Sequence, residues 1–390
     1  TADNNIAVGV SSLYSNTTGA NNVAIGDQAL SDNSTASNNT AVGHNALLAN
    51  TEGASNVAVG YLALDANTTA SFGTAIGHQA LSANTTGTQN TAVGAAALQA
   101  ATTAASNTAV GYVALSAATT GASNTAVGAS ALTANTTAAN NTAVGTSALA
   151  ANTEGADNVA VGKSALAANT TGTLNVAVGM NAVDANTTGE KNTGIGQGAL
   201  SQNTTADNNT AVGFASLNAN TTGTQNVAVG SLALDANSTG NENTAVGYGA
   251  LSTSTTAGGN TALGWGAMIS TTTGYANVAI GVSSLGVQTT GNQNVAVGNA
   301  TLDALTTGTF NVAVGQAAGG AVTEGAQNVF VGSLAGDAST TASNNVILGY
   351  DAGGALTTGS SNVFVGRGSG LTTTTSTFNT LLGQDCVSTS

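Results

Sequence analysis

The chain has 390 residues, with 52 Gly, no Pro and one Cys; 5% of its residues are charged, 3% are aromatic, and its formal net charge is −14. This composition excludes a collagen and a disulfide scaffold, and no apolar run approaches the roughly 20 residues of a membrane-spanning helix. Because only three residues are basic, nucleic acid and anionic membranes are disfavoured as partners.

A tetrapeptide recurs every 17 residues from one end of the chain to the other. IAVG at 6–9 returns as VAIG at 23–26 and TAVG at 40–43, and the series runs to TLLG at 380–383, giving 23 copies without an insertion or deletion. The consensus reads [TV]-A-V-G-x-x-A-L-x-A-N-T-T-G-x-x-N, and its positions are numbered 1 to 17. A unit this short is unlike the helical repeats of ~33 or 34 residues, and its fixed Gly, Thr and Asn disfavour helix.

Each copy therefore predicts one coil of a parallel β-solenoid. In chain order, a coil has a short strand at [TV]-A-V, a turn at Gly, a second short strand at A-L-x-A and a second turn through the Asn and Thr positions. An inserted residue would disturb the stacking of a coil on its neighbours, so the constant length of the copies favours this fold. We predict an all-β fold of about 23 coils as a single elongated domain over residues 1–390, with variant coils at 312–390.

Two positions carry the predicted turns. Gly occupies position 4 in every copy, beginning with Gly9, Gly26 and Gly43. The residue before each copy is Asn in 22 of 23 cases, including Asn22 and Asn39, and Gly73 is the exception. Because Asn and Gly both tolerate positive φ, we predict a left-handed backbone at this position. A ladder of Asn side-chain amides is the alternative, although Gly73 could not join it.

A correlated change late in the chain predicts what faces inward. Positions 1–4, 7 and 8 carry no charge in any copy, which favours their burial. Position 8 is Leu in most copies, but four late copies have Gly there, and in each case position 2 of the following copy becomes bulky. The four pairs are Gly319 with Phe330, Gly336 with Ile347, Gly353 with Phe364 and Gly370 with Leu381. Because interiors are close-packed, we predict that position 8 of one coil and position 2 of the next touch in one core layer.

The predicted strand has a second apolar face. If position 2 points inward, positions 1 and 3 point outward, because side chains alternate along a strand. Position 3 is Val, Ile or Leu in every copy and position 1 is Val, Ile or Thr. An exposed stripe of this kind exceeds the few hundred Å² that monomers usually tolerate, so we predict self-association about a parallel axis.

The motif V-A-[IV]-G-x-x-A resembles the head repeats of trimeric autotransporter adhesins, with about three residues added at the second turn. The longer pattern N-T-A-V-G-x-x-A-L-x-x-N-T-T-G is also similar to phage and bacterial fibre proteins that carry a C-terminal self-cleaving chaperone. The resemblance covers residues 6–390 and implies a left-handed β-roll in a side-by-side homotrimer. No coiled-coil stalk or membrane anchor accompanies the repeats, so we expect a fragment or a mature ectodomain.

Catalytic, metal-binding and cofactor-binding patterns are not found in the sequence. His44 and His78 share position 5 and are expected to lie two coils apart, about 10 Å, as exposed turn residues. Cys386 falls at position 7 and is expected to be a small packed residue, with intermolecular pairing as the alternative. The acidic residues are too scattered for a calcium ladder. We therefore predict no enzymatic activity, no cofactor and no metal site.

Position 5 collects six of the aromatic residues. We interpret this column as candidate binding sites for sugars or host-surface ligands; the alternative is that the rings cover a turn or a subunit seam. The residues are Tyr61, Tyr112, Phe214, Tyr248, Trp265 and Tyr350.

The recurring N-T-T also forms glycosylation acceptor sequences, although turn chemistry explains the same residues and is favoured. They begin at Asn16, Asn67, Asn84, Asn135, Asn169, Asn186, Asn203 and Asn220.

Together these features predict a non-catalytic extracellular structural or adhesive fibre, on a cell surface or a virion. Its expected partners are further copies of itself and a glycan, matrix or host-surface ligand, without nucleic acid and without membrane insertion. An ice-binding solenoid is an alternative, because Thr recurs at positions 1, 12 and 13, and a self-polymerising extracellular filament is another. No signal peptide is visible, so the extracellular location is expected from resemblance and composition.

Overall fold

The structure, a computed structural model, describes residues 2–387 and divides into two units, Thr1–Asn192 and Thr193–Ser390. The described residues contain no helix, and each copy of the repeat contributes one three-residue strand at positions 1–3. In the first unit the strands are β1 Ile6–Val8, β2 Val23–Ile25, β3 Thr40–Val42, β4 Val57–Val59, β5 Thr74–Ile76, β6 Thr91–Val93, β7 Thr108–Val110, β8 Thr125–Val127, β9 Thr142–Val144, β10 Val159–Val161 and β11 Val176–Val178.

The second unit continues the same series of strands. They are β12 Thr193–Ile195, β13 Thr210–Val212, β14 Val227–Val229, β15 Thr244–Val246, β16 Thr261–Leu263, β17 Val278–Ile280, β18 Val295–Val297, β19 Val312–Val314, β20 Val329–Val331, β21 Val346–Leu348, β22 Val363–Val365 and β23 Thr380–Leu382.

Within each unit every strand pairs in parallel with the next one along the chain. In the first unit Ala24 pairs with Ala41, and in the second Thr193 pairs with Thr210, so partners are one 17-residue repeat apart. The register does not change in the variant coils, where Phe364 pairs with Leu381. Residues 388–390 of the predicted variant segment lie outside the described residues. Each unit is thus a parallel β-solenoid with about 17 residues per turn, as the sequence predicts.

The prediction of a second strand at A-L-x-A is wrong. This segment is a turn in which positions 6 and 8 have positive φ, for example 55° at both Gln28 and Leu30. A Leu in the left-handed region costs about 1–2 kcal/mol and breaks the extended backbone that a strand needs. The coils still bond to each other here, because the N–H of Leu30 donates to the carbonyl oxygen of Ala46, 2.9 Å away in the next coil.

The left-handed backbone predicted at Asn22, Asn39 and Gly73 is also wrong. Positive φ falls one residue earlier, at Asn21, Asn38 and Phe72, with values of 59°, 64° and 62°. Position 4 behaves as expected: φ is 133° at Gly9, 136° at Gly26 and 139° at Gly43. A Cβ on Gly26 would also overlap the carbonyl oxygen of Gly43 in the next coil. Glycine is therefore required at position 4 both by conformation and by the approach of the next coil.

The buried Asn of position 17 instead forms a side-chain ladder. Oδ1 of Asn22 accepts the N–H of Asn39 at 2.9 Å, and Nδ2 of Asn22 donates to the carbonyl oxygen of Ala36 at 2.9 Å. The ladder is interrupted at Gly73, whose N–H donates to Oδ1 of Asn56 at 2.7 Å but which has no side chain to continue it, and it resumes at Asn90. Because these amides are buried, each bond satisfies a polar group that water cannot reach.

A second ladder runs along position 11. Nδ2 of Asn33 donates to Oδ1 of Asn16 at 2.9 Å and to the carbonyl oxygen of Ala36 at 3.0 Å. The ladder stops where the column loses Asn: Ala101 follows Asn84, whose buried Oδ1 has no hydrogen-bond partner among the described residues. Where Asn occupies position 11, the two ladders and the strand hydrogen bonds together fix the register of a coil on the next.

The core of a coil is small and almost wholly aliphatic. Ala24, Ala29 and Leu30, at positions 2, 7 and 8, are fully buried, and the same positions are buried in most other coils. In the variant coils Phe330, Ile347 and Phe364 are fully buried at position 2, while Leu381 in the last coil is half-buried.

The bulky residues occupy the space that Leu leaves at position 8. A Cβ on Gly319 would lie 2.8 Å from Cδ2 of Phe330 in the next coil, and a Cβ on Gly336 would lie 2.5 Å from Cε1 of Phe330 in its own coil. Gly353 stands in the same relation to Ile347, with a distance of 2.8 Å to its Cδ1. A large position-2 side chain therefore fills the space beside two position-8 glycines, the one in its own coil and the one in the preceding coil. Glycine also relieves the left-handed strain at position 8, where φ is 61° at Gly319 and 59° at Gly336.

Candidate functional site

The outer face of the strands carries an exposed apolar stripe, defined as the Val, Ile or Leu at position 3 of each copy. Position 2 is buried between two outward residues, as the sequence predicts. Val127, Val144 and Val161, in three consecutive coils, are each 36–37% exposed, and Ile25 and Ile76 are 40% exposed. No charged residue occurs at positions 1 to 4 of any copy. Within each unit the apolar stripe is thus an uninterrupted, uncharged apolar surface.

The aromatic column at position 5 borders the apolar stripe, separated from it by the position-4 glycine. All six predicted aromatic residues project into solvent. They are Tyr61 (48% exposed), Tyr112 (65%), Phe214 (53%), Tyr248 (51%), Trp265 (55%) and Tyr350 (53%). Hydrophobic rings this exposed are available for contact with a ligand or another chain.

Three consecutive rings at position 5 form a continuous stack in the first unit. The ring centroids of His44 and Tyr61 lie 5.5 Å apart, those of Tyr61 and His78 lie 5.2 Å apart, and the rings are within 18° of parallel. Nε2 of His44 is 3.5 Å from Oδ2 of Asp27, the position-5 residue one coil earlier. The two histidines are exposed turn residues two coils apart, as predicted, but Tyr61 joins them into one stack. The prediction of two separate histidines did not include this stack, although the 17-residue spacing of the three residues signals it.

A second aromatic pair borders a groove in the second unit. Tyr248 and Trp265 stack with their centroids 6.5 Å apart and their planes within 10° of parallel. Trp265 lines a cavity of about 360 Å³ that reaches past Gly286 to Asp303. This volume is within the range of pockets that hold small organic ligands, roughly 300–1,000 Å³. Trp265 is among the candidate residues predicted from the sequence, whereas the groove is not, because the space comes from the missing side chain at Gly286.

The other candidate rings have no aromatic neighbour in their column. Tyr112 lies between Ala95 and Ala129, and the residues before and after Phe214 and Tyr350 at position 5 are also not aromatic. The structure therefore brings together two groups of rings, one in each unit, and leaves three rings isolated.

Two threonine columns run along the opposite turn. Position 12 is Thr or Ser in all 22 complete copies, and its hydroxyl commonly donates to the next coil, as Thr51 Oγ1 does to the carbonyl oxygen of Thr68 at 3.1 Å. Position 13 is Thr in 19 of these copies and is exposed, with Glu52, Glu154 and Glu324 replacing it in the others. Of these two columns, position 13 is therefore the one that presents exposed Thr side chains in regular order among the described residues.

Seven of the eight N-T-T acceptor sequences begin at buried asparagines, and the eighth begins at the half-buried Asn16. Asn67 and Asn169 are fully buried, and Nδ2 of Asn169 donates to Oδ1 of Asn152 at 2.8 Å and to the carbonyl oxygen of Gly172 at 2.9 Å. A glycan on Nδ2 would replace one of its two hydrogens, so one of these bonds would be lost, and the sugar would force the coil open. This geometry agrees with the structural interpretation of the N-T-T residues.

Five aspartates share position 9, and the pKa of each is raised. Burial is the largest effect, and it raises the pKa of Asp65, Asp184, Asp235, Asp303 and Asp337, whereas hydrogen bonds from nearby backbone N–H groups oppose the shift. The charge of Asp351 adds to the rise at Asp337. Burial raises these pKa values because it disfavours the charged carboxylate.

Among residues 2–387, no three side chains of His, Cys, Asp or Glu come together as a metal site, and no helix could cross a membrane. The thiol of Cys386 is free and half-buried, with Sγ 3.3 Å from the carbonyl oxygen of Leu382. Neither protein-family models nor curated proteins give any match to this chain.

Proposed function

We propose that this chain is a non-catalytic structural and adhesive fibre that associates with copies of itself through the apolar stripe. The observation that carries the proposal is the exposure of Val, Ile and Leu at position 3 of successive coils, with no charge at positions 1 to 4. The solvent-facing side of a strand normally carries polar residues, whereas an exposed apolar face is typical of an interface.

The arrangement of the copies follows from the repeat itself. Because each coil presents Val, Ile or Leu at position 3, two parallel copies in register bring equivalent stripes together along their length. The proposed state is a side-by-side homotrimer, which the resemblance to trimeric adhesin heads supports. The proposed location is extracellular, on a cell surface or a virion, where an uncharged, repetitive surface contacts ligands through the aromatic column.

Charge substitution within the apolar stripe tests the association. In the variant Val127→Lys, Val144→Lys, Val161→Lys, three like charges lie in adjacent coils on the proposed interface, and we expect dissociation in sedimentation velocity because buried like charges repel. The matched control places the same charges on the exposed threonine column, as Thr103→Lys, Thr120→Lys, Thr137→Lys, and should sediment like the wild type. Equal sedimentation of all three proteins would contradict the role of the stripe.

Ice binding is a second candidate function, favoured by the exposed position-13 threonines. They recur once per coil, at about the 4.8 Å spacing of paired strands, which presents hydroxyl and methyl groups in a regular row. Thermal hysteresis of the purified chain tests this candidate, and variants with Thr120→Lys and Thr137→Lys should lose the activity. Absence of hysteresis in the wild type would rule this function out.

A further inference from the structure

The groove beside Trp265 spans three successive coils of the second unit. Trp265 and Ile269 come from one coil, Ser283 and Val287 from the next, and Asp303 from the third. At position 9 the side chains run Ile269, Gly286, Asp303, so the groove is the gap between an aliphatic group and a carboxylate. The lining joins one aromatic ring and two aliphatic side chains to a few polar groups.

The fold does not require glycine at Gly286. Its φ is not in the left-handed region, and the closest atom to an added Cβ is the carbonyl oxygen of Ser283 at 3.3 Å. Other copies have a larger residue at position 9, for example Leu48, Ser252 and Asp235. The absence of a side chain at 286 therefore opens the groove without serving the backbone.

The two kinds of lining residue suit a sugar ring. The indole of Trp265 is 55% exposed and is held nearly parallel to Tyr248, so its orientation is set before a ligand arrives. Ser270 and Ser283 line the same groove as Asp303, and neither serine hydroxyl hydrogen-bonds to another part of the described chain. A pyranose has an apolar C–H face that packs on aromatic rings and a rim of hydroxyls that hydrogen-bond to carboxylates and hydroxyls.

We infer that this groove binds one pyranose residue of a glycan, with the sugar packed on Trp265 and its hydroxyls bonded to Asp303 and Ser283. This inference deepens the adhesive part of the proposed function and rests on it. A small organic cation is the competing ligand, because it also favours an indole and a carboxylate. The groove has one aromatic ring rather than several, and two neutral hydroxyls beside its carboxylate, which favours the sugar.

Trp265 provides a direct readout, because it is the single Trp of the chain. Its fluorescence is recorded while the full chain is titrated separately with glucose, galactose, mannose, fucose, N-acetylglucosamine and N-acetylgalactosamine, and with tetramethylammonium chloride. We expect a saturable change with at least one sugar, with a Kd of about 1 mM, as for a small single-site contact. The change should be the same at low and high salt, because a neutral ligand is not screened.

Three variants locate the bound sugar. Gly286→Leu fills the groove with a side chain found at position 9 elsewhere and should lower the affinity at least about tenfold, while the melting temperature stays the same. Asp303→Asn keeps a hydrogen-bonding group and should lower the affinity by less, about fivefold. Tyr350→Ala is the matched control, since this ring is equally exposed in the same column but lies outside the groove.

The inference is overturned if none of the six sugars changes the fluorescence, or if tetramethylammonium alone does so in a salt-dependent manner. It is also overturned if Gly286→Leu binds sugar as well as the wild type does. Light scattering on the same samples separates this outcome from the proposed function. If the chain self-associates but binds no sugar, only the sugar-binding groove is contradicted. If the chain is monomeric but binds sugar, only the self-association is contradicted.

Discussion

Phe364 and Gly370 share one volume in the core of the last coils. A Cβ on Gly370 would lie 2.6 Å from Cδ2 of Phe364, and Phe364 is fully buried. Earlier coils fill the equivalent space from the other side, with Ala at position 2 and Leu at position 8, as in Ala24 and Leu30. The two arrangements are alternative solutions to the same packing problem.

A double-mutant cycle tests this exchange. Phe364→Ala leaves a cavity and should lower stability by about 3–5 kcal/mol, and Gly370→Leu alone overpacks the core and should cost about 1–3 kcal/mol. The double variant recreates the earlier Ala and Leu pattern and should be more stable than Phe364→Ala, as measured by denaturant unfolding. Phe378→Ala, at a ring that is 83% exposed, is the control and should change little. Purely additive losses in the double variant would contradict shared packing.

Completing the interrupted ladder should stabilise the first unit. Gly73→Asn supplies an Oδ1 to accept the N–H of Asn90 and an Nδ2 to donate to the carbonyl oxygen of Gly87, to which Nδ2 of Asn90 now donates at 3.3 Å. The new Cβ would lie 3.0 Å from Oδ1 of Asn56, so a small adjustment is needed. We expect a gain of about 1 kcal/mol, measured as a higher melting temperature. Asn124→Gly makes the reverse change and should lower the melting temperature. A melting temperature below that of the wild type for Gly73→Asn would show that the site cannot accept a side chain.

Buried and exposed acceptor sequences should differ in glycosylation. The sequences at Asn38, Asn140 and Asn208 begin at exposed residues, whereas Asn135 and Asn203 are buried in the position-11 ladder. When the chain is secreted from a glycosylating host, mass spectrometry of the folded fraction should find glycans at acceptor sequences that begin at exposed residues and none at those that begin at buried ones. Occupied buried sites in folded protein would contradict the ladder, since Nδ2 cannot carry a glycan and remain in place.

From the raised pKa values of the position-9 aspartates we expect mild acid to stabilise the fold. Their pKa values are raised in the folded chain above the ordinary value of 3.8, so the folded state binds protons more tightly than the unfolded one. Their destabilising effect is therefore present above the raised pKa and is relieved as the pH falls through it, so the melting temperature should rise from pH 7 towards about pH 4. Replacing all five by Asn should flatten this dependence.

A matched charge control accompanies that measurement. Removing five exposed carboxylates, through amide substitutions at Glu52, Glu154, Asp157, Glu242 and Glu324, changes the net charge equally. The melting temperature of this variant should depend on pH more strongly than that of the variant in which the five position-9 aspartates are replaced by Asn. Equal slopes in the two variants would assign the effect to net charge instead of burial.

The sequence predicts the repeat, the strand and its two faces because each depends on residue type at a fixed spacing. It predicts the glycine turn at position 4, but not the turn at positions 6 to 8 or the residue of positive φ before each copy. Leu30 adopts a positive φ that its side chain disfavours, since burial of the Leu and hydrogen bonds between coils outweigh local preference. Likewise the buried amide of Asn22 serves a ladder, although Asn is also a common left-handed residue. The groove at Gly286 depends on a gap between neighbouring side chains, and a gap leaves no motif in the sequence.

The mass of the chain in solution tests the central claim most directly. Light scattering at micromolar concentration should give about three times the 37.0 kDa of one chain. The value should stay constant on moderate dilution, because a continuous apolar stripe buries a large area. A mass of 37.0 kDa at these concentrations would contradict self-association through the stripe.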